Sequence, residues 1–466
     1  MNKCIHLALI SFSGLLYVGC SSAGPKSSTM RAQASVVKSD SATRGSNANT
    51  IAKGQLEMED PELFERITTP LFDEESASLV IAKATWVLAT PFADGHRLGL
   101  IGGSTRVVEK SHVVNEDCPS PWVEVEPQGW VCVPVKPSMR PATSAMPAKS
   151  MRNLPGTYAI ATKATVFYKS VESAQAEERG RSAKGDMIKR RKTIRLEDGR
   201  TLWRTDRNEY VDSSTLRRLG GSRFQGVDLT DEHGPMMPFA FAVHAKNPKK
   251  PVVVRNAPSY SARARGRLSG RSVVEVLGHS DDGEFVRIDE GRWIARADLR
   301  VVEQRERPAH VEEGGRWIDV DLDQQLVVAY DGSQAVFATL ASTGKGDNAT
   351  PTGVFNITRK KRQTTMRNDR SKRQTYSVAV PWPVYFNKGF AFHSTYWHNS
   401  FGAPRSHGCI NLSPSDAARL YRFVGPEMPA GWTVVYGHES QPGTAVRVRS
   451  AQESPLHEAD TRLASQ

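Results

Sequence analysis

Between Phe392 and Leu412 the stretch FHSTYWHNSFGAPRSHGCINL holds three histidines and one cysteine. Three chemistries could use such a set. Zinc takes three or four ligands in a tetrahedron, and His393, His398, His407 and Cys409 could supply them. No HExxH, no CxxC and no acidic partner stands nearby, so no metal is expected. A redox pair needs a second thiol close to Cys409, and the stretch has none. A cysteine nucleophile needs a base for its proton, a group that orients that base, and backbone donors for the oxyanion. Both His393 and His407 are candidate bases on spacing alone. Gly408 allows a backbone geometry in which consecutive amides of residues 407 to 409 point at one oxygen.

The elements that must hold these groups are partly legible. SPSDAARLYRFVG predicts a helix with Ser413 as N-cap, Pro414 at its first position, Asp416 completing a capping box and Gly425 as its stop. Ala417, Leu420, Tyr421 and Val424 share one face of it. The helix dipole near Cys409 would lower the thiol pKa, although that effect fades within a turn. Upstream, RWIDVDLDQQLVVAYDGSQAVFATLASTGKG reads as long alternating strands of a larger β-sheet domain, running from residue 315 to about Tyr436.

FHS…SHGCINL resembles the active-site motif of the L,D-transpeptidase family, a His followed downstream by Ser/Thr-His-Gly-Cys-hydrophobic-Asn or Arg. STGKGDNATPTGVFNI, VPWPVYFNKGFAFHSTYWHNSFG and LSPSDAARLYRFV around it agree, over residues 315–436. The resemblance implies Cys409 as nucleophile, His393 as base and the Ser394 carbonyl as its orienter. Ser406, His407, Gly408 and Asn411 would shape the oxyanion pocket, and Tyr396, Trp397, His398 and Phe401 would line the donor groove. The implied reaction is cofactor-free acyl transfer from a peptidoglycan stem peptide, through a cysteine thioester, to a diaminopimelate amine, giving a 3–3 cross-link. Water as acceptor would make the enzyme an L,D-carboxypeptidase, and a protein lysine would make it fasten a lipoprotein to the wall. The non-catalytic rival is a structural lipoprotein that only binds the wall.

The whole chain, of 466 residues, is long enough for two to four domains. Met1-Asn2-Lys3, an apolar run from Ile5 to Val18 and a small-residue site read as a signal peptide over 1–20. LYVGC resembles a lipobox, implying a lipidated Cys20 and a membrane anchor, and Ser21 favours the outer membrane. A formal charge of +12 with dispersed basic residues, behind an export signal, excludes nucleic acid as the expected partner. Residues 21–58 read as a flexible tether and 437–466 as a disordered tail. Cys118 and Cys132 flank one hairpin and are expected to pair, which leaves Cys409.

Three hairpins recur, with Trp122 and Trp130, Leu202 and Tyr210, and Phe285 and Trp293 each expected on one inner face. Residues 250–303 resemble a bacterial SH3-like domain, and 78–137 and 155–219 resemble it more weakly. The expected architecture is mainly β and multidomain, with small SH3-like barrels ahead of a β-sandwich-like catalytic domain carrying one main helix. The basic run Arg359 to Gln374 is longer than a hairpin needs and is a candidate lid.

Overall fold

The structure, a computed structural model, describes residues 64–72, 76–145, 154–367 and 377–451. The signal peptide, Cys20 and the tether lie outside these residues. The fold is mainly β, with two α-helices among the described residues, Val171–Gln175 and Pro414–Phe423. Its sheets are open.

The strand Arg316–Asp321 lies inside a six-stranded sheet, antiparallel to Leu326–Asp331 and parallel to Ala445–Arg449. Both faces of this sheet are covered. Ile318, Val320 and Val327 enter a core with the helix residues Leu420 and Tyr421. Trp317, Val328 and Tyr330 face the other way, against Phe239 and Phe241. The strand Ala445–Arg449 corrects the expectation of a disordered tail from 437. Its alternation AVRVR sends Val446 and Val448 into the core, while Arg447 and Arg449 bind the buried Asp319 carboxylate at 2.6 and 3.0 Å.

A ten-stranded sheet joins the first hairpin region to the segment that begins at residue 315. Strand Trp432–Tyr436 pairs antiparallel with Arg97–Ile101 on one side and Arg359–Lys361 on the other. Gly99 makes the approach possible: a Cβ there would meet the Trp432 ring and the Val434 carbonyl at 2.4 Å. Trp432 and Val435 are thereby buried in the core of Ile81, Val87 and Ile101. In the same region Cys118 and Cys132 are bonded, with Cα atoms 5.8 Å apart.

All three hairpins form, but two present another face to the core. The core of the second region takes Trp203 and Val211, and that of the third takes Val286 and Ile294. Leu202 and Phe285 are buried as well, whereas Tyr210 and Trp293 are half-buried. Alternation with apolar residues at both parities does not say which side will be covered. The third region also starts earlier than residue 250. Phe239–Ala242 pairs with Val273–Glu275 and Leu299–Val302, and it divides two cores, Ala240 and Ala242 on one side and Phe239 and Phe241 on the other.

The basic insert is less loop-like than its composition implied. Arg359–Lys361 belongs to the ten-stranded sheet, and Gln363–Arg367 pairs with Ser377–Pro381. This hairpin docks on the second region through Lys189 Nζ to Gln363 Oε1, 2.9 Å, and Arg207 Nη1 to Ser377 Oγ, 3.1 Å. Residues 368–376 lie outside the described part.

Candidate active site

Strand Phe390–Ser394 runs parallel to Ile410–Leu412, with His393 opposite Asn411. Successive side chains on a strand alternate, and paired residues share a side, so Cys409, two before Asn411, comes to the side of His393. Phe392, Ile410 and Leu412 point the other way, into the core beneath the helix Pro414–Phe423. Ser413 Oγ accepts the Asp416 amide at 3.2 Å and starts that helix, which fixes the chain just beyond the cysteine.

The loop ahead of Cys409 is clamped. Gly408 has φ +111°, and a Cβ on it would strike the Phe390 ring at 2.4 Å. Its carbonyl accepts from Thr350 Oγ1 at 2.8 Å, and its amide donates to Ser406 Oγ at 3.0 Å. Ser406 Oγ in turn donates to the Cys409 carbonyl, and the amides of Arg405 and Ser406 both donate to Thr343 O at 2.9 Å. The Gly408 amide is therefore already used, so the three amides of 407 to 409 do not converge on one oxyanion as the sequence suggested. Ser406 holds the turn instead.

His393 is 3% exposed and lies against the Trp397 ring, centroids 6.0 Å apart. Its Nδ1 is 3.2 Å from the Ser394 carbonyl. Burial lowers its pKa to about 4, so at neutral pH the ring is uncharged, Nδ1–H donates to that carbonyl, and Nε2 keeps its lone pair. Burial raises the Cys409 thiol, with the Ala391 backbone pulling partly against it. Cys409 is the free cysteine among the described residues. Both partners rest uncharged, and the sulfur becomes nucleophilic as its proton leaves.

His398 stands beside them with a hydrogen-bond partner at each ring nitrogen. The Ser400 amide donates to its Nδ1 at 3.2 Å, and its Nε2 is 3.0 Å from the Asn411 side-chain amide. Burial, then the charge of Arg405, lowers the His398 pKa to about 3. The backbone of Asn411 is held by two 3.0 Å hydrogen bonds with Ser342. His407 is exposed on the rim of the cleft.

Trp397 and His398 reach the cleft, but Tyr396 and Phe401, expected to line it, do not. Tyr396 is 3% exposed, lies tilted against the Tyr158 ring and donates to Ala379 O at 2.8 Å. Phe401 is fully buried against Phe224 and His398. Aromatic residues near a nucleophile in sequence are as useful beneath the floor as on it.

The cleft itself measures about 750 Å³, and much of its wall comes from outside the motif: Met187, Lys246, Pro248, Met366 and Val378. A further support gave no sequence signal. Arg271 of the third region donates from Nη1 to Asn399 Oδ1 at 2.7 Å, from Nη2 to Asn399 O at 2.6 Å and from Nε to Phe401 O at 3.3 Å. It ties down the loop that carries Trp397 and His398.

Residues 315–448 match the family model described as the YkuD L,D-transpeptidase catalytic domain. The match reaches past Tyr436 into the strand Ala445–Arg449. Solved structures with similarity include an L,D-transpeptidase from Stackebrandtia nassauensis, 25% identical, TM-score 0.23, covering 31% of this chain and 61% of that one. The catalytic domain of an E. faecium L,D-transpeptidase is 25% identical, TM-score 0.24, covering 30% of this chain and 99% of that one. An L,D-transpeptidase from Mycobacterium smegmatis is 22% identical, TM-score 0.24, covering 45% and 94%. No curated protein matches the chain.

Proposed function

We propose that the protein is a peptidoglycan L,D-transpeptidase that forms 3–3 cross-links through an acyl-enzyme on Cys409. The observation that carries this reading is that Cys409, just ahead of the strand Ile410–Leu412, and His393 on the strand parallel to it line one cleft, within the segment that matches the family model.

Nε2 of His393 takes the thiol proton as sulfur attacks the carbonyl between the third and fourth residues of a stem peptide. The tetrahedral oxyanion is met at the Cys409 amide, since those of Ser406 and Gly408 are already committed within the turn. Collapse expels the terminal D-Ala, whose amine leaves with the proton held by His393. The thioester then reacts with a diaminopimelate side-chain amine that gives its proton to the same Nε2, and the thiol is regenerated. Water in place of the amine gives a carboxypeptidase, and a protein lysine gives wall attachment. A lipid on Cys20 would hold this site at the envelope surface, on the periplasmic side of the outer membrane.

Muropeptide analysis of sacculi incubated with the soluble protein tests the reading. New 3–3 dimers support it, tripeptide stems without dimers favour the carboxypeptidase, and unchanged sacculi favour a wall-binding lipoprotein.

A further inference from the structure

Lys246, Lys345 and Arg405 stand on the wall of the Cys409 cleft, which no Asp or Glu among the described residues lines. All three are exposed, and none forms an ion pair with a carboxylate among the described residues. Their backbones are fixed, and Arg405 also reaches Ser400 Oγ through Nη1 at 3.4 Å. The Lys345 amide donates to Ser406 O at 3.2 Å, beside the nucleophile turn, and the Arg405 amide donates to Thr343 O at 2.9 Å. Lys246 sits in a turn whose amides donate to His244, at the entry to the third region. Three cations of one sign, converging from separate parts of the chain on one concave surface, focus a positive potential where the acyl donor must lie.

We infer that the cleft selects peptide acyl donors that keep at least two free carboxylates, with Lys246, Lys345 and Arg405 contacting them, so that amidated donors are disfavoured. The inference rests on the acyl-donor reading above. Lys246 is its distinctive part, since it lies outside the segment that matches the family model. Exposed charges each contribute modestly, and their joint effect is about tenfold in kcat/KM at low salt.

The experiment compares two synthetic tetrapeptide donors, one with free side carboxylates and one amidated, by the rate of D-Ala release with the wild-type soluble chain. About tenfold preference for the free form, shrinking as salt rises from 20 to 500 mM, supports the inference. Lys246→Gln and Arg405→Gln should each reduce that preference, and the variant with all three cations neutralised should abolish it. Melting curves identify any variant that has lost its fold, and the salt series on wild type stands without variants. Equal rates on both donors, or preference for the amidated one, overturn the inference and leave the proposed function intact. If neither donor is cleaved while a carbapenem still acylates Cys409, the stem-peptide reading falls and the inference with it.

Discussion

At the scale of single residues, the site rests as an uncharged pair. Because the buried imidazole titrates near 4 and the buried thiol above its ordinary range, the ion pair found in many thiol enzymes is not the resting form here. Loss of the base sets in only as pH falls through about 4, whereas an unperturbed histidine would lose it near 6.5. Carbapenem acylation, followed by mass spectrometry, should therefore show no acid limb between pH 7 and 5 and should quicken as pH rises toward the thiol pKa. A clear limb near 6.5 would mean that His393 is exposed in solution or is not the base. Cys409→Ala should abolish the adduct, and His393→Ala should slow it by roughly 10² to 10⁴. His407→Ala should be milder, since the exposed ring stands on the rim. These residues were legible because their chemistry is packed into one short stretch. Their backbone was not: the commitment of the Gly408 amide to Ser406 depends on the turn's actual shape.

Elements add what the motif leaves out. The helix Pro414–Phe423 could be read from sequence since Ser413, Pro414 and Asp416 form a local cap. The clamp on its neighbouring loop could not, because Arg271 lies 128 residues from Asn399 and sits in a turn without periodicity. Arg271→Ala should slow acylation about tenfold by loosening Trp397 and His398, and should speed amide exchange across 397–402. Unchanged exchange there would show that the clamp is not needed. Strand Arg359–Lys361 carries another buried group. Lys360 is 1% exposed, donates to Val424 O at 2.7 Å just past the helix, and has its pKa lowered by burial from 10.5 to about 7. Below pH 7 both folded and unfolded chains carry this proton; between 7 and 10.5 only the unfolded chain does, so stability rises with pH across that window. Urea midpoints at pH 6 and 9.5 should show wild type gaining on Lys360→Met as pH rises. Parallel behaviour would place Lys360 in contact with solvent.

On the scale of the whole molecule, accessory regions share strands and cores with the catalytic segment. Sequence repeats revealed three hairpins but not their attachments, since sheet partners far apart in the chain leave no periodic trace. The third region illustrates the consequence. Its wall includes Phe239–Ala242, so a fragment of residues 237–303 should melt cooperatively, while 250–303 should lack the strand that covers Val301 and Val274. Calorimetry of the two fragments checks this, and equal cooperativity would make the earlier strand dispensable. The pairing of Arg97–Ile101 with Trp432–Tyr436 bears on timing. Thr433 Oγ1 binds the Leu100 carbonyl across 333 positions of chain. The first sheet is synthesised early, yet one of its edges stays open until almost the whole polypeptide has emerged. During that interval an unpaired strand edge is available to any neighbouring chain. Crowded expression should therefore yield dimers exchanged at this seam, and a nascent chain stalled before Trp432 should be the most aggregation-prone form of the protein.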